Sequence, residues 1–195
     1  MAEKPALLLI LSGPSGVGKD ALLTRMKELG VPLFYSVTAT SRPRRPREVD
    51  GVDYHFIEKP RFEQMIRDGE FLEWANVYGN LYGVPRKMIE DAVAAGRDAI
   101  VKVDIQGAAT IKRLKPEAIS IFIAPPSMDE LQRRLVERKT ETGADLNLRL
   151  KTAQGEMETA SSFDHVVISH NNRIDEAIRE IEFIIEREKS PLRTQ

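Results

Sequence analysis

The chain has 195 residues, 42% apolar and 30% charged, a balance that suits one sizeable mixed core and excludes a disordered chain. A formal net charge of −1 gives no overall basic field, so nucleic acid is not expected as a partner. The absence of cysteine excludes disulfides and thiolate chemistry and fits a reducing compartment.

Residues 6–11 form a continuous apolar run, the pattern of a strand buried on both faces. The run is too short to span a membrane and lacks the features of a signal peptide, so a cytoplasmic protein with no membrane partner is expected. A glycine-rich turn follows from Gly13 to Gly18. Ala21, Leu22, Leu23, Met26 and Leu29 then recur at helical spacing up to Gly30. From residue 34 to 82 the texture changes. Strand-like pieces at 36–39, 54–57 and 72–77 are broken by Pro and Gly, with a short helix near 61–67. They suggest a small antiparallel insertion rather than further βαβ units. Residues 85–95 read as a helix returning to the core. Short apolar strands at 99–103, 120–123 and 165–168 alternate with helical stretches, which predicts a parallel sheet. Beyond Pro125-Pro126, charged helices are expected at 128–138 and 146–160, and an amphipathic helix at 174–187.

Gly13-Pro14-Ser15-Gly16-Val17-Gly18-Lys19 fits the phosphate-binding pattern G-x-x-x-x-G-K, with a strand before it and a helix after. Glycines let successive backbone N–H groups converge on phosphate oxygens, and the helix N-terminus adds positive potential. Lys19 can reach the terminal phosphates. Position 20 usually carries a hydroxyl that ligates Mg²⁺, and here it is Asp20. A carboxylate is also a hard oxygen ligand, so Asp20 is read either as a Mg²⁺ ligand or as an acid favoured in a first helical turn.

The segment from Ser36 to Phe56, with its Ser41-Arg42-Pro43-Arg44-Arg45-Pro46-Arg47 core, resembles the nucleotide-binding signature of the guanylate kinase family. Phe71-Leu72-Glu73-Trp74-Ala75, Gly79-Asn80-Leu81-Tyr82-Gly83, Val103-Asp104-Ile105-Gln106-Gly107 and Ile121–Ser127 extend the resemblance in the family's order. It implies an α/β fold with a P-loop three-layer core and parallel sheet, carrying a small mixed GMP-binding insertion and a helical lid. The expected division is a core of 1–33, 95–125 and 163–195, a GMP-binding part of 34–94 and a lid of 126–162.

The resemblance also implies roles. Arg42 and Arg45 would hold the GMP phosphate, as guanidinium forks suit bidentate contacts, with Tyr54 and Tyr82 adding hydroxyls. Glu73 and Asp104 would read guanine, whose N1–H and exocyclic amino group are adjacent donors that adenine lacks. Thr38 would donate to O6. Gly13, Pro14, Ser15, Gly16, Val17, Gly18, Lys19 and Asp20 would hold ATP. Lys19 and the lid arginines Arg134, Arg138 and Arg149 would be catalytic, stabilising charge during a Mg²⁺-dependent in-line transfer from ATP to GMP. A monomer or homodimer would serve.

Each residue also has a bland reading. The arginines could form a nucleic-acid patch, but Glu48, Asp50 and Asp53 follow at once. Glu73, Tyr54 and Tyr82 could each be structural, and the lid arginines could pair with neighbouring glutamates. His55, His165 and His170 show no metal-ligand spacing. Three positions depart from the family: Asp20, Lys102 in place of an acid, and Val84 in place of a hydroxyl that helps to read O6. Asp20 and Lys102 read as a paired exchange that keeps one acid near the metal. A ribose 1,5-bisphosphate kinase is the nearest rival, since those enzymes share Gly18-Lys19-Asp20 and Tyr82-Gly83-Val84. Non-catalytic guanylate-kinase-like binding modules are another.

Overall fold

The first apolar run becomes β1 (Leu8–Ser12), in which Leu9, Ile10 and Leu11 are fully buried. The computed structural model describes residues 5–77, 79–137 and 143–190. After β1 come α1 (Lys19–Glu28), β2 (Phe34–Tyr35), β3 (Ala39–Thr40), β4 (His55–Phe56), α2 (Lys59–Arg67), β5 (Phe71–Val77) and β6 (Asn80–Pro85). They are followed by α3 (Arg86–Ala94), β7 (Ala99–Lys102), α4 (Ile105–Leu114), β8 (Ile119–Ala124), α5 (Met128–Glu137), α6 (Gly143–Glu158), β9 (His165–Ile168) and α7 (Ile174–Lys189). Five strands hydrogen-bond in the order β2-β7-β1-β8-β9. The β2–β7 and β8–β9 pairs are parallel, as alternating strands and helices require.

The chain divides into two compact units, and β1 runs from one into the other. One unit holds Leu11–Pro32 and the chain from Ile119 onward; the other holds Pro5–Ile10 and Leu33–Ala118.

In the first unit, β8 is buried along Ser120–Ala124. Helix α7 buries Ala177, Ile178, Ile181, Ile184 and Ile185, a spacing that keeps one face of a 3.6-residue helix inward. Each isoleucine removed from water contributes about 1.5–3 kcal/mol. Arg25 of α1 forks onto Asp175 of α7 at 2.9 and 3.1 Å. Ser120 donates both N–H and Oγ–H to Asp164 Oδ2 at 2.7 Å, which fixes the entry to β9.

In the second unit a four-stranded sheet has the order β4-β3-β6-β5. Its β3–β6 and β5–β6 pairs are antiparallel but β3–β4 is parallel, so the sheet is mixed rather than wholly antiparallel. Ala39, Phe62, Met65, Phe71 and Leu81 form its core, with the Phe62 and Phe71 rings stacked at 4.4 Å. The strand expected at 36–39 does not form as one: residues 36–38 lie between two short strands. Phe34–Tyr35 joins β7 in the larger sheet, and Ala39–Thr40 joins the smaller one. Strand β6 was hidden by its own Gly83 and Pro85, which read as breakers. Gly83 is there for space: a Cβ would lie 2.7 Å from the Phe71 ring.

Candidate active site

The glycine-rich turn links β1 to α1 in the first unit. Gly13, Gly16 and Gly18 all have positive φ, and Gly18 at +105° is the N-cap of α1. At Gly13 a Cβ would stand 2.3 Å from the carbonyl oxygen of Ile123, so no other residue fits beside β8. Lys19 opens α1 and donates its ammonium to the carbonyls of Gly13 (2.5 Å) and Pro14 (3.3 Å), which holds the charge over its own loop. Ser15 N–H donates to Glu156 Oε2 of α6 at 3.3 Å. A carboxylate therefore takes a backbone donor of the kind that a phosphate oxygen would take. Asp20 is exposed in the first turn of α1.

Arg134 of α5 is 7% exposed. Its guanidinium donates to Val17 O in the cradle (2.8 Å), to Ser169 O just beyond β9 (2.8 Å) and to Glu130 Oε1 (3.0 Å). The same bond helps to hold the Glu130 carboxyl below its usual range. Here Arg134 ties the phosphate loop to the β9–α7 loop, a link that its place in a charged helix did not suggest. Arg138 lies outside the described residues. Arg149 lies in α6, but its side chain falls outside the described part.

In the second unit Arg42 is the centre of an anion-binding corner. Its Nη1 and Nη2 fork onto Glu48 at 2.9 and 2.8 Å, and Nη1 also donates to Pro43 O at 2.8 Å. The Tyr82 hydroxyl reaches the same guanidinium. The Tyr54 ring lies under Arg42 at 5.3 Å and packs edge-on to Tyr82 at 6.1 Å. Lys102 Nζ lies 5.4 Å from the Tyr54 ring centroid. Arg45 is exposed and donates its backbone N–H to Glu48 Oε2 at 2.8 Å. The Arg42 fork holds the Glu48 carboxyl down to about 2, so Glu48 stays charged and orients the arginine. Glu48 was read from the sequence only as charge balance. Its position, six residues after Arg42 in a proline-shaped loop, was the available signal for more.

Glu73 on β5 is buried, and its carboxyl is pushed up to about 7 by that burial and by the nearby charge of Asp104. Asp104 is the exposed N-cap of α4 and accepts the Gly107 N–H through Oδ1 at 2.7 Å. The two acids expected to read one base are thus brought together. Thr38 precedes β3, and its carbonyl accepts the His55 N–H at 2.9 Å.

A lysine-bearing glycine cradle between a buried strand and a helix marks the P-loop nucleotide-binding class, and an acidic pair in the same unit as an arginine corner points to a nucleoside monophosphate kinase. The guanylate kinase family model matches residues 6–188, and the chain belongs to that family, whose members transfer phosphate from ATP to GMP. It is 42% identical over 188 residues to a guanylate kinase of Oceanobacillus iheyensis, covering 96% of this chain and 90% of that one. It is 45% identical over 185 residues to guanylate kinase 2, chloroplastic/mitochondrial, of rice, covering 94% of this chain and 65% of the relative. Among solved structures, a guanylate kinase from Anaplasma phagocytophilum superposes with a TM-score of 0.76 at 34% identity. That match covers 97% of this chain and 89% of the other. Among the described residues, no helix is long and apolar enough to cross a membrane.

Proposed function

We propose that this chain carries the family reaction on the residues just described, passing the γ-phosphate of ATP directly to GMP without a covalent enzyme intermediate. The observation that supports this most is the pairing of buried Glu73 with Asp104, because two acceptors suit the adjacent N1–H and amino donors of guanine. A ribose bisphosphate offers no base for them to read. The three-part division into core, GMP-binding part (34–94) and lid (126–162) belongs to the same reading, as does a cytoplasmic location.

Arg42, with Arg45, Tyr54 and Tyr82, binds the GMP phosphate, and Glu48 keeps the Arg42 fork oriented. The cradle N–H groups and Lys19 hold the ATP phosphates. As the bond from γ-phosphorus to the bridging oxygen of ADP breaks, the bond to a GMP phosphate oxygen forms. Lys19 and the lid arginines Arg138 and Arg149 offset charge on the transferring group. Arg134 serves by fixing the cradle against the β9–α7 loop. No group of three or more metal-binding side chains occurs among the described residues. Asp20, exposed in the first turn after the cradle, would suit an ion that keeps water and phosphate oxygens in its shell, as Mg²⁺ does. Asp20 and the bound phosphates would hold Mg²⁺ there, and the ion would supply charge that offsets the phosphates.

The test is ADP release from ATP and Mg²⁺ with GMP, AMP or ribose 1,5-bisphosphate as acceptor. Turnover with GMP alone is expected. Turnover with the sugar bisphosphate alone would transfer the chain to the rival kinase, and no turnover in folded protein would favour a binding module.

A further inference from the structure

Gly107 is the third residue of α4 and is buried, and it is not among the glycines with positive φ. Its helical backbone suits any residue, and glycine inside a helix costs about 1 kcal/mol relative to alanine. Its N–H meets Asp104 Oδ1 at 2.7 Å, but any non-proline residue would supply that donor. What only glycine supplies is space. A Cβ at this position would lie 3.0 Å from Glu73 Cδ, 3.0 Å from Glu73 Oε2 and 3.0 Å from Val103 Cβ. Val103 Cβ is held by its backbone and can yield by only a few tenths of an ångström, whereas the end of a glutamate side chain can move, so alanine here would chiefly displace the carboxyl.

We propose that Gly107 is a positioning residue for guanine recognition: its missing side chain is the space in which the Glu73 carboxyl stands beside Asp104. One residue thereby sets both acids, Asp104 through its N–H and Glu73 through its lack of a Cβ. The inference rests on Glu73 and Asp104 being the guanine readers.

The test compares the parent chain with Gly107→Ala, Glu73→Ala, the double variant and Glu73→Asp, measuring KM and kcat with GMP, IMP and ATP, and thermal melting. Gly107→Ala is expected to raise KM for GMP about tenfold, the scale of one hydrogen bond to a charged group. It should narrow the preference for GMP over IMP, which lacks the amino donor. KM for ATP should stay within about twofold, and the melting temperature should fall only slightly, since the helical gain of alanine offsets part of its crowding against Val103. In the Glu73→Ala background, adding Gly107→Ala should change KM for GMP less than about twofold, because the carboxyl it displaces is gone. Glu73→Asp keeps the charge but withdraws it by one methylene, and should also raise KM for GMP about tenfold. That arm stands if Gly107→Ala fails to fold, and an unchanged KM there overturns the proposal. It is equally overturned if Gly107→Ala leaves KM for GMP unchanged, raises KM for ATP as much, or acts fully without Glu73. If Glu73→Ala itself binds GMP normally, the reader assignment falls first and this inference with it. A weakened Glu73→Ala beside an unaffected Gly107→Ala would sink the inference alone.

Discussion

Glu73 and Val84 stand directly opposite each other on the antiparallel β5–β6 pair, just after an irregularity in the β5 register. Directly paired residues put their side chains on the same face, so an isopropyl group with 1% exposure borders the acid. The family's hydroxyl is replaced here by a group that can only desolvate its neighbour. Val84→Ser is expected to tighten GMP binding by about 0.5–1.5 kcal/mol, the worth of one neutral hydrogen bond. ATP binding should be unaffected. Calorimetric titration of both variants with GMP measures this, and equal affinities would remove Val84 from the base site.

The raised Glu73 carboxyl makes stability depend on pH in a set direction. Unfolded, the group loses its proton near the ordinary value of 4.5; folded, it does so at about 7. Between these values the folded chain holds the extra proton, so this contribution is complete below pH 4.5 and is lost as pH rises through 7. At pH 8 the buried charge costs on the order of 3 kcal/mol. Glu73→Gln should therefore raise the melting temperature of the ligand-free protein at pH 8 and change it little at pH 4.5. The same group predicts that GMP binds less tightly at pH 6 than at pH 8, with proton release. Parallel pH dependence in both variants would locate the titration elsewhere.

Arg134 offers a contrast between clamp and lid. A lid arginine acts on turnover and leaves stability alone, whereas a buried guanidinium on two carbonyls is part of the fold. Arg134→Ala is expected to cost about 3 kcal/mol in urea unfolding, because Val17 O and Ser169 O lose their donors and Glu130 keeps only Arg133 of its two arginine partners. Arg134→Lys should recover part of that but raise KM for ATP, since one ammonium cannot reproduce the fork. Unchanged unfolding with a large loss of kcat would return Arg134 to the lid role.

Glu156 sits on a cradle donor, Ser15 N–H, at 3.3 Å. Any anion that takes this donor must first displace a carboxylate. Glu156→Gln is expected to lower KM for ATP roughly twofold at low ionic strength, with the difference fading at high salt, as befits an exposed charge. A salt-independent effect, or a raised KM, would show that Glu156 has another part.

The elements built on continuous apolar runs were legible in the sequence because such a run leaves a local mark, whether the strand is buried as in β1 and β8 or exposes Val166 and Ile168 as in β9. Leu8–Ser12, Ala99–Lys102, Ile119–Ala124 and His165–Ile168 all lie where hydrophobicity placed them. The cradle was equally legible, since its chemistry needs its glycines and lysine in consecutive positions. Strand β6 was not, because Gly83 exists to admit the Phe71 ring from the neighbouring strand. The resemblance supplied Glu73 and Asp104 as a pair, but their meeting around Gly107 depends on β5 and α4 packing together. Nothing within either segment records the 3.0 Å gap that a Cβ would close. Residue order alone was enough to expect the buried strands and the phosphate cradle, because strand burial and phosphate binding act over a few neighbouring residues. Folding in three dimensions was needed to show that Arg134 bonds to Val17 O and Ser169 O, that Glu48 pairs with Arg42 and that Val84 lies opposite Glu73. Those contacts depend on distance and desolvation between separate elements, and neither quantity is written along the chain.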